Sequence, residues 1–201
     1  MVDVNTVSIL FAGGSVILLM ATIALFVLVL GFPDLEITKT IRNLLDEQGL
    51  RFAALVAVMA TFGSLYYSEF AGFTPCKFCH YQRHAMYPLA VLLPLGVLRA
   101  DDGVRIYGMV IAGIGFALAS YHVRMQFWPS SVKASCSLDA PCTQRLVTVF
   151  GDVVKWPGTE DLYGNAVVGV SIPMMAWSFF LAIIVILGLI RTNEQVNDSE
   201  E

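Results

Sequence analysis

Long apolar runs separated by short polar breaks organise the chain. The first, "VSILFAGGSVILLMATIALFVLVL", fills residues 7–30 without a single charge. Others cover residues 52–70, 75–98, 105–122 and 166–190. A helix needs roughly 20 residues to cross a bilayer, and in lipid the backbone must satisfy its own hydrogen bonds. The pattern therefore predicts five helical spans, with the two termini on opposite sides of the membrane. The first run has no Lys or Arg before it and no small-residue cleavage pattern after it, so it predicts a retained anchor rather than a removed signal peptide.

Between the first two runs, "FPDLEITKTIRNLLDEQGL" sets Ile37, Ile41, Leu44 and Leu45 at helical spacing with charges on the opposite side. That pattern predicts a short amphipathic helix lying in the membrane interface. The one long hydrophilic segment runs over residues 124–165 and predicts a loop outside the membrane. The expected fold class is thus all-α and integral to a membrane. Residues 1–51 hold the first span and the interfacial helix, and residues 52–201 form a second unit containing the loop.

Composition agrees with this reading. Hydrophobic residues make up 57% of the chain and charged residues 14%, with a mean hydropathy of +0.71, outside the range of soluble globular proteins. The net charge of −4, with the acidic tail "NEQVNDSEE", excludes the basic stripe that nucleic acid would require. With the amino terminus outside, Lys39, Arg42, Arg51, Arg99, Arg105 and Arg191 lie inside. Lys77, Arg83, Arg124, Lys133, Arg145 and Lys155 then lie outside. The totals are equal, but the inside segments are shorter, and charges in short loops weigh more. The expected orientation is amino terminus out.

Candidate chemistry concentrates in "TPCKFCHYQRHAMYPL", residues 74–89. Thr74 and Pro75 suit the cap and first position of a helix. Cys76 then falls in the first turn, where unpaired N–H groups and the helix dipole favour thiolate. Cys79 lies within disulfide reach. A Cys-x-x-Cys bridge closes almost no loop and is a poor staple, so redox or metal work is the better explanation of the pair. Arg83 follows Cys79 by one helical turn on the same face. A charge at that depth marks either a functional site or a side chain snorkelling to lipid headgroups. His80 and His84 would complete a zinc set by residue type, yet their spacing makes closure around one ion awkward.

The remaining cysteines stand in "CSLDAPC", Cys136 and Cys142. Alone they read as a loop staple. The spans place them on the same side as Cys76 and Cys79, and thiols exchange through mixed disulfides, so two pairs on one face suggest a relay. Disulfides belong to the oxidising side of a membrane, which puts both pairs on the extracytoplasmic face of the cell membrane. Gln82 and Gln126 read as polar helix-end residues, the methionines as packing, and Gly108, Gly113 and Gly115 as points of close helix approach. Trp128, Trp156 and Trp177 suit interfacial positions.

In motif order, "PCKFCHYQRHAMYPL", "YHVRMQ", "CSLDAPC" and "VSIPMMAW" resemble the DsbB family of membrane thiol:quinone oxidoreductases, nearest its BdbC-type branch. The resemblance covers roughly residues 52–190. It implies a four-helix transmembrane bundle, with residues 7–30 an additional span that has no counterpart in the usual protein. The stretch "PGTEDLYGNAVV" is longer than the family's usual approach to the last span. The resemblance also implies that Cys136 and Cys142 form the disulfide facing a thioredoxin-like thiol oxidase of the DsbA type. Cys76 and Cys79 would form the disulfide that passes electrons to a membrane quinone, ubiquinone or menaquinone. Arg83 and His122 would bind that quinone, His122 by donating a hydrogen bond or passing a proton. No metal is expected. Two other readings are a vitamin-K-epoxide-reductase-like enzyme, in which the loop pair precedes the Cys-x-x-Cys whereas here it follows, and a non-enzymatic membrane metal-binding protein.

Overall fold

The computed structural model describes residues 4–127, 142, 149 and 169–190. Most of the expected outer loop, with Cys136, Trp128 and Trp156, falls outside them. Five helices make up the described fold: α1 (Val4–Gly31), α2 (Glu36–Leu65), α3 (Lys77–Arg99), α4 (Val104–Phe127) and α5 (Ile172–Leu189), with a π-helical turn, Tyr66–Phe70, extending α2. By length and composition four are apolar enough to cross a membrane: α1, α2 with its extension, α4 and α5. The chain is thus a multi-pass membrane protein. The fifth, α3, is 23 residues long but carries Lys77, His80, Gln82, Arg83 and His84 in its first turns.

The helices pack in a closed ring. Helix α2 contacts α3, α3 contacts α4, α4 contacts α5, and α5 returns to α2. This is the expected four-helix bundle. Outside the ring, α1 lies along α5 and touches α2, as the expected additional helix. Its buried residues, Ser8, Ala12, Ser15, Thr22 and Val29, recur every three, four or seven positions. They form a seam of mostly small side chains, which lets helices approach closely where lipid offers no hydrophobic driving force. At the far end of this seam Arg42 Nη2 donates to the Val29 carbonyl at 2.6 Å, satisfying a carbonyl in the last turn of α1.

Three expectations need correction. The amphipathic stretch after α1 is not a separate interfacial helix, because α2 runs unbroken from Glu36 into the span. Gly49 does not break it: a Cβ there would sit 2.8 Å from Ile190 Cγ1, so the glycine admits the end of α5 rather than a turn. Leu45 is buried and Ile41 packs on the core, while Ile37 and Leu44 are exposed. Helix α3 starts after Cys76 rather than at Pro75, and Cys76 is itself the cap. Helix α4 extends to Phe127, more than a turn beyond His122, which places that histidine within the helix and not at its end.

Small residues set the spacing inside the ring. A Cβ on Gly108 would approach Leu93 and Leu187, and one on Gly115 would penetrate the ring of Phe180, which is fully buried. Gly113, by contrast, has nothing nearby, so only two of the three expected close approaches exist. Pro88 and Pro94 stand within α3, where each removes a backbone hydrogen bond that packed neighbours must offset. At the site end, Ser171 Oγ donates to Gln126 Oε1 at 2.7 Å and ties α5 to α4. Gly115→Ala should therefore displace Phe180 and destabilise the bundle by about 1–3 kcal/mol, whereas Gly113→Ala should be neutral or slightly stabilising. Thermal unfolding of the two detergent-solubilised variants beside the native protein measures the difference; equal midpoints would show that Phe180 does not define the α4–α5 spacing.

Candidate functional site

The site forms where the carboxy-terminal ends of α2 and α4 meet the amino-terminal ends of α3 and α5. Cys76 has extended backbone, φ −69° and ψ 170°, and its Sγ accepts the Cys79 amide proton at 3.3 Å. A thiol thereby does the work usually given to Ser, Thr or Asp at a helix start. Its carbonyl accepts from the His80 amide, so the first turn is closed on both sides of the residue. The two sulfurs are 2.9 Å apart and both are free thiols, Cys76 buried and Cys79 half-buried. The Cys79 thiol against it, with His122 alongside and the Cys79 amide behind, holds the Cys76 thiol well below the ordinary thiol range despite its burial. The helix start and these neighbours thus favour negative charge on Cys76.

His122 projects from α4 and is 1% exposed. Its Nε2 lies 3.6 Å from Cys76 Sγ and 3.1 Å from the Cys142 carbonyl, while its Nδ1 lies 3.1 Å from Gln82 Nε2. The carbonyl can only accept and the Gln82 amide nitrogen can only donate. In this arrangement the proton sits on Nε2, pointing at the sulfur and the carbonyl, and Nδ1 accepts from Gln82. Phe78 packs on the imidazole at 5.7 Å between ring centroids. Cys142 is disulfide-bonded and is buried in one apolar cluster with Cys76 and Met125, against which Cys79 and Phe78 pack. The two cysteine regions are therefore neighbours in space, 66 positions apart in sequence between Cys76 and Cys142.

On the other side of Cys79 lies a cavity of about 90 Å³, several times what one water needs. Cys79 and Arg83 line it together with Gln82, Ser64 and Tyr67; apolar side chains, chiefly Phe179, Phe180 and Met175, supply much of the rest. Arg83 is anchored rather than snorkelling freely: Nε donates to Ser64 Oγ at 2.9 Å and Nη2 to the Ser64 carbonyl at 3.0 Å. Among the described residues Nη1 makes no hydrogen bond. The side chain thus presents a fixed cation with donors to spare at an apolar wall. A flat apolar ring with carbonyl oxygens at its edge would match these features.

The expected residues are not all in one place. Cys79 and Arg83 share the cavity, but His122 is not among its lining residues and faces Cys76 and Cys142 instead. Cys136 lies outside the described residues. His80 and His84 are exposed, and His84 Nδ1 contacts the His80 carbonyl at 2.6 Å, so neither joins the cysteines. The ligand atoms of Cys76, Cys79 and His122 do lie within 4.8 Å of one another, three donors where a closed structural zinc site takes four. Local sequence suggests only a polar helix-end residue at Gln82, whereas in the structure it orients His122. Its place three residues after Cys79, on the inward face of α3, was a signal that a partner lay across the bundle.

Comparisons with known proteins identify the family. The family model "Disulfide bond formation protein DsbB" matches residues 47–190. The "Probable disulfide formation protein C 2" of Bacillus anthracis is 34% identical over 155 residues, 77% of this chain and 99% of that protein. A "Probable disulfide formation protein" of Deinococcus radiodurans is 36% identical over 140 residues, 67% of this chain and 85% of that protein. The "Disulfide bond formation protein C" of Bacillus subtilis is 32% identical over 139 residues, 68% of this chain and 88% of that protein. No solved structure matches significantly. Two adjoining cysteine regions at one end of a helical membrane bundle, matched by a family model over most of the chain, lead to one conclusion: the protein belongs to the DsbB family of disulfide bond formation proteins, membrane oxidoreductases that generate disulfide bonds.

Proposed function

We propose that the chain reoxidises a thioredoxin-like, DsbA-type thiol oxidase on the extracytoplasmic face of the cell membrane and delivers the electrons to a membrane quinone. The observation that carries this reading is the position of the Cys76–Cys79 pair between Cys142 on one side and the Arg83 cavity on the other. Partner dithiol first reduces the Cys136–Cys142 disulfide, and the partner leaves as a disulfide. The Cys136–Cys142 dithiol then reduces the Cys76–Cys79 disulfide by exchange. Each exchange moves two electrons and two protons.

When bound, a quinone supplies the terminal acceptor, taking two electrons and two protons to become a hydroquinone. The remaining work belongs to the protein. Helix α3 holds Cys79 at the cavity wall, and Arg83 holds positive charge where negative charge develops on a ring oxygen. Ser64 fixes the guanidinium, so little reorganisation is needed at the moment of transfer. His122 acts on the other side: its Nε2–H faces Cys76 and stabilises the thiolate that forms as a disulfide opens, and Gln82 keeps the imidazole in that tautomer. Burial of Cys76 and Cys142 together keeps water away from the exchanging sulfurs.

Three outcomes are expected. Cys136→Ser or Cys142→Ser should stop oxidation of the reduced partner yet leave quinone-driven formation of the Cys76–Cys79 disulfide intact, whereas Cys79→Ser should abolish quinone reduction. Partner turnover at the native rate in the Cys142→Ser protein would refute the order of the relay. For orientation, a membrane-impermeant thiol reagent applied to intact cells after reduction should label the loop cysteines but not a cysteine placed at Asp102, and the reverse labelling would invert the topology. For Arg83, the guanidinium's planar fork matters as well as its charge. Arg83→Lys should raise the apparent KM for quinone about tenfold and Arg83→Met about a hundredfold, with smaller effects on kcat. Quinone titration at matched folded concentration measures both, and identical constants in all three proteins would remove Arg83 from the site.

A further inference from the structure

The family model begins at residue 47, so all of α1 precedes the region it matches. Yet α1 reaches the redox cavity. Phe11 lines it alongside Cys79 and Arg83. The ring lies over the bare backbone of Gly63, where an added Cβ would come within 2.7 Å of Phe11 Cε1. It also meets Tyr67, another wall residue, at 6.3 Å between centroids and a 55° tilt. Ala12, next in the chain, is buried with Tyr67 and Met175 in a cluster on which Phe11 and Phe179 pack. Phe11 is thus seated by four groups from α2, its π-helical turn and α5, each of which also bears on the cavity.

The rest of α1 shows why this contact is selective. The helix docks through its seam of buried residues, Ser8 to Val29, while Leu10 and Ile17 are 69% and 71% exposed. Phe11 is half-buried and belongs to neither set. It is the α1 side chain that lines the cavity, on a helix that packs along α5 and touches α2.

We propose that α1 is a fourth helical wall of the redox cavity, beside α2, α3 and α5, and that Phe11 determines which quinone rings fit against Cys79 and Arg83. The proposal rests on the quinone reading above. Apolar walls discriminate by volume, and a change of a few carbons in such a wall alters relative kcat/KM by about tenfold or more. Phe11 carries only two side-chain torsions, and it is held between the Gly63 backbone and the Tyr67 ring. A bicyclic ring should therefore meet Phe11 where a monocyclic ring clears it.

The test uses the purified full-length protein with dithiothreitol as electron donor, so that no protein partner is needed. The probes are a short-chain ubiquinone analogue, with one ring, and menadione, with two fused rings. Phe11→Ala should raise the menadione-to-ubiquinone ratio of kcat/KM by about tenfold, mainly through KM, and Phe11→Trp should lower it. Leu10→Ala and Ile17→Ala, on the exposed face, should leave the ratio unchanged. A photoactivatable azidoquinone should label the peptide containing residue 11 in the native protein, and excess ubiquinone analogue should prevent that labelling. If the native protein reduces neither quinone, the quinone reading fails and this inference falls with it. If the native protein reduces both, unchanged ratios in both Phe11 variants overturn the inference alone. An equal loss with both quinones in Phe11→Ala, expressed in kcat and accompanied by a lower Tm, marks Phe11 as packing only and also overturns it.

Discussion

The capping of α3 by Cys76 is the interaction on which the site depends. A helix start leaves amide protons unpaired, and here the Cys79 amide is satisfied by a sulfur that must also exchange electrons. The cap fixes Cys76 outside the helix and Cys79 one turn inside it, so one thiol faces the neighbouring loop cysteine and the other faces the cavity. Any shift of the start by one residue would rotate both sulfurs away from these partners. Because amide and dipole favour negative charge at this point, the geometry that directs the sulfurs also activates the outer one.

Around that cap, the bundle arranges polar groups in pairs across helices. His122 reaches Cys76 and is steadied by Gln82, and Arg83 is steadied by Ser64. In an apolar medium each unpaired polar group would cost free energy comparable to a lost hydrogen bond or more, so these pairs are conditions for folding as well as for chemistry. The close approach of α4 and α5 at Gly115 and Phe180 draws the helices into the ring that brings His122 near α3. Packing in the middle of the membrane and reactivity at its edge are therefore linked through helix spacing. Disulfide chemistry is placed at the end of the bundle where the buried His122 meets the Cys142 backbone.

Helix α1 adds a different kind of constraint. Its docking seam is built from small and short polar residues, while its outward face is apolar and suited to lipid. Such a helix can be added to a bundle without altering the four-helix ring, since it packs on α5 and only touches α2. Its amino-terminal end coincides with the site end of the bundle, because two antiparallel helices, α1 and α2, carry the chain across and back before α3 starts.

Much of this was legible along the chain. Apolar run lengths are enough to identify helices in a membrane, where no other open structure satisfies the backbone, and Cys-x-x-Cys followed one turn later by Arg marks a reactive helix start. The family resemblance pointed to Arg83, which lies beside Cys79 on the cavity wall, and to His122, which lies instead against Cys76. The rest needed three dimensions. The continuity of α2 through Gly49 depends on Ile190, a residue far along the chain that occupies the space a side chain would take. Cys76 rather than Thr74 became the cap because the Cys79 amide and His122 both point at its sulfur. Gln82, a polar helix-end residue on local grounds, takes its role from a histidine on another helix, and His122 faces Cys76 and the Cys142 carbonyl rather than the cavity because of how α4 is rotated against α3. Sequence alone determined that helices span a membrane and that thiols gather at one end, since these follow from hydrophobicity and local spacing. Tertiary structure decided which side of each thiol meets the cavity, the imidazole and α1, because those directions depend on how helices distant in sequence rotate and pack against one another.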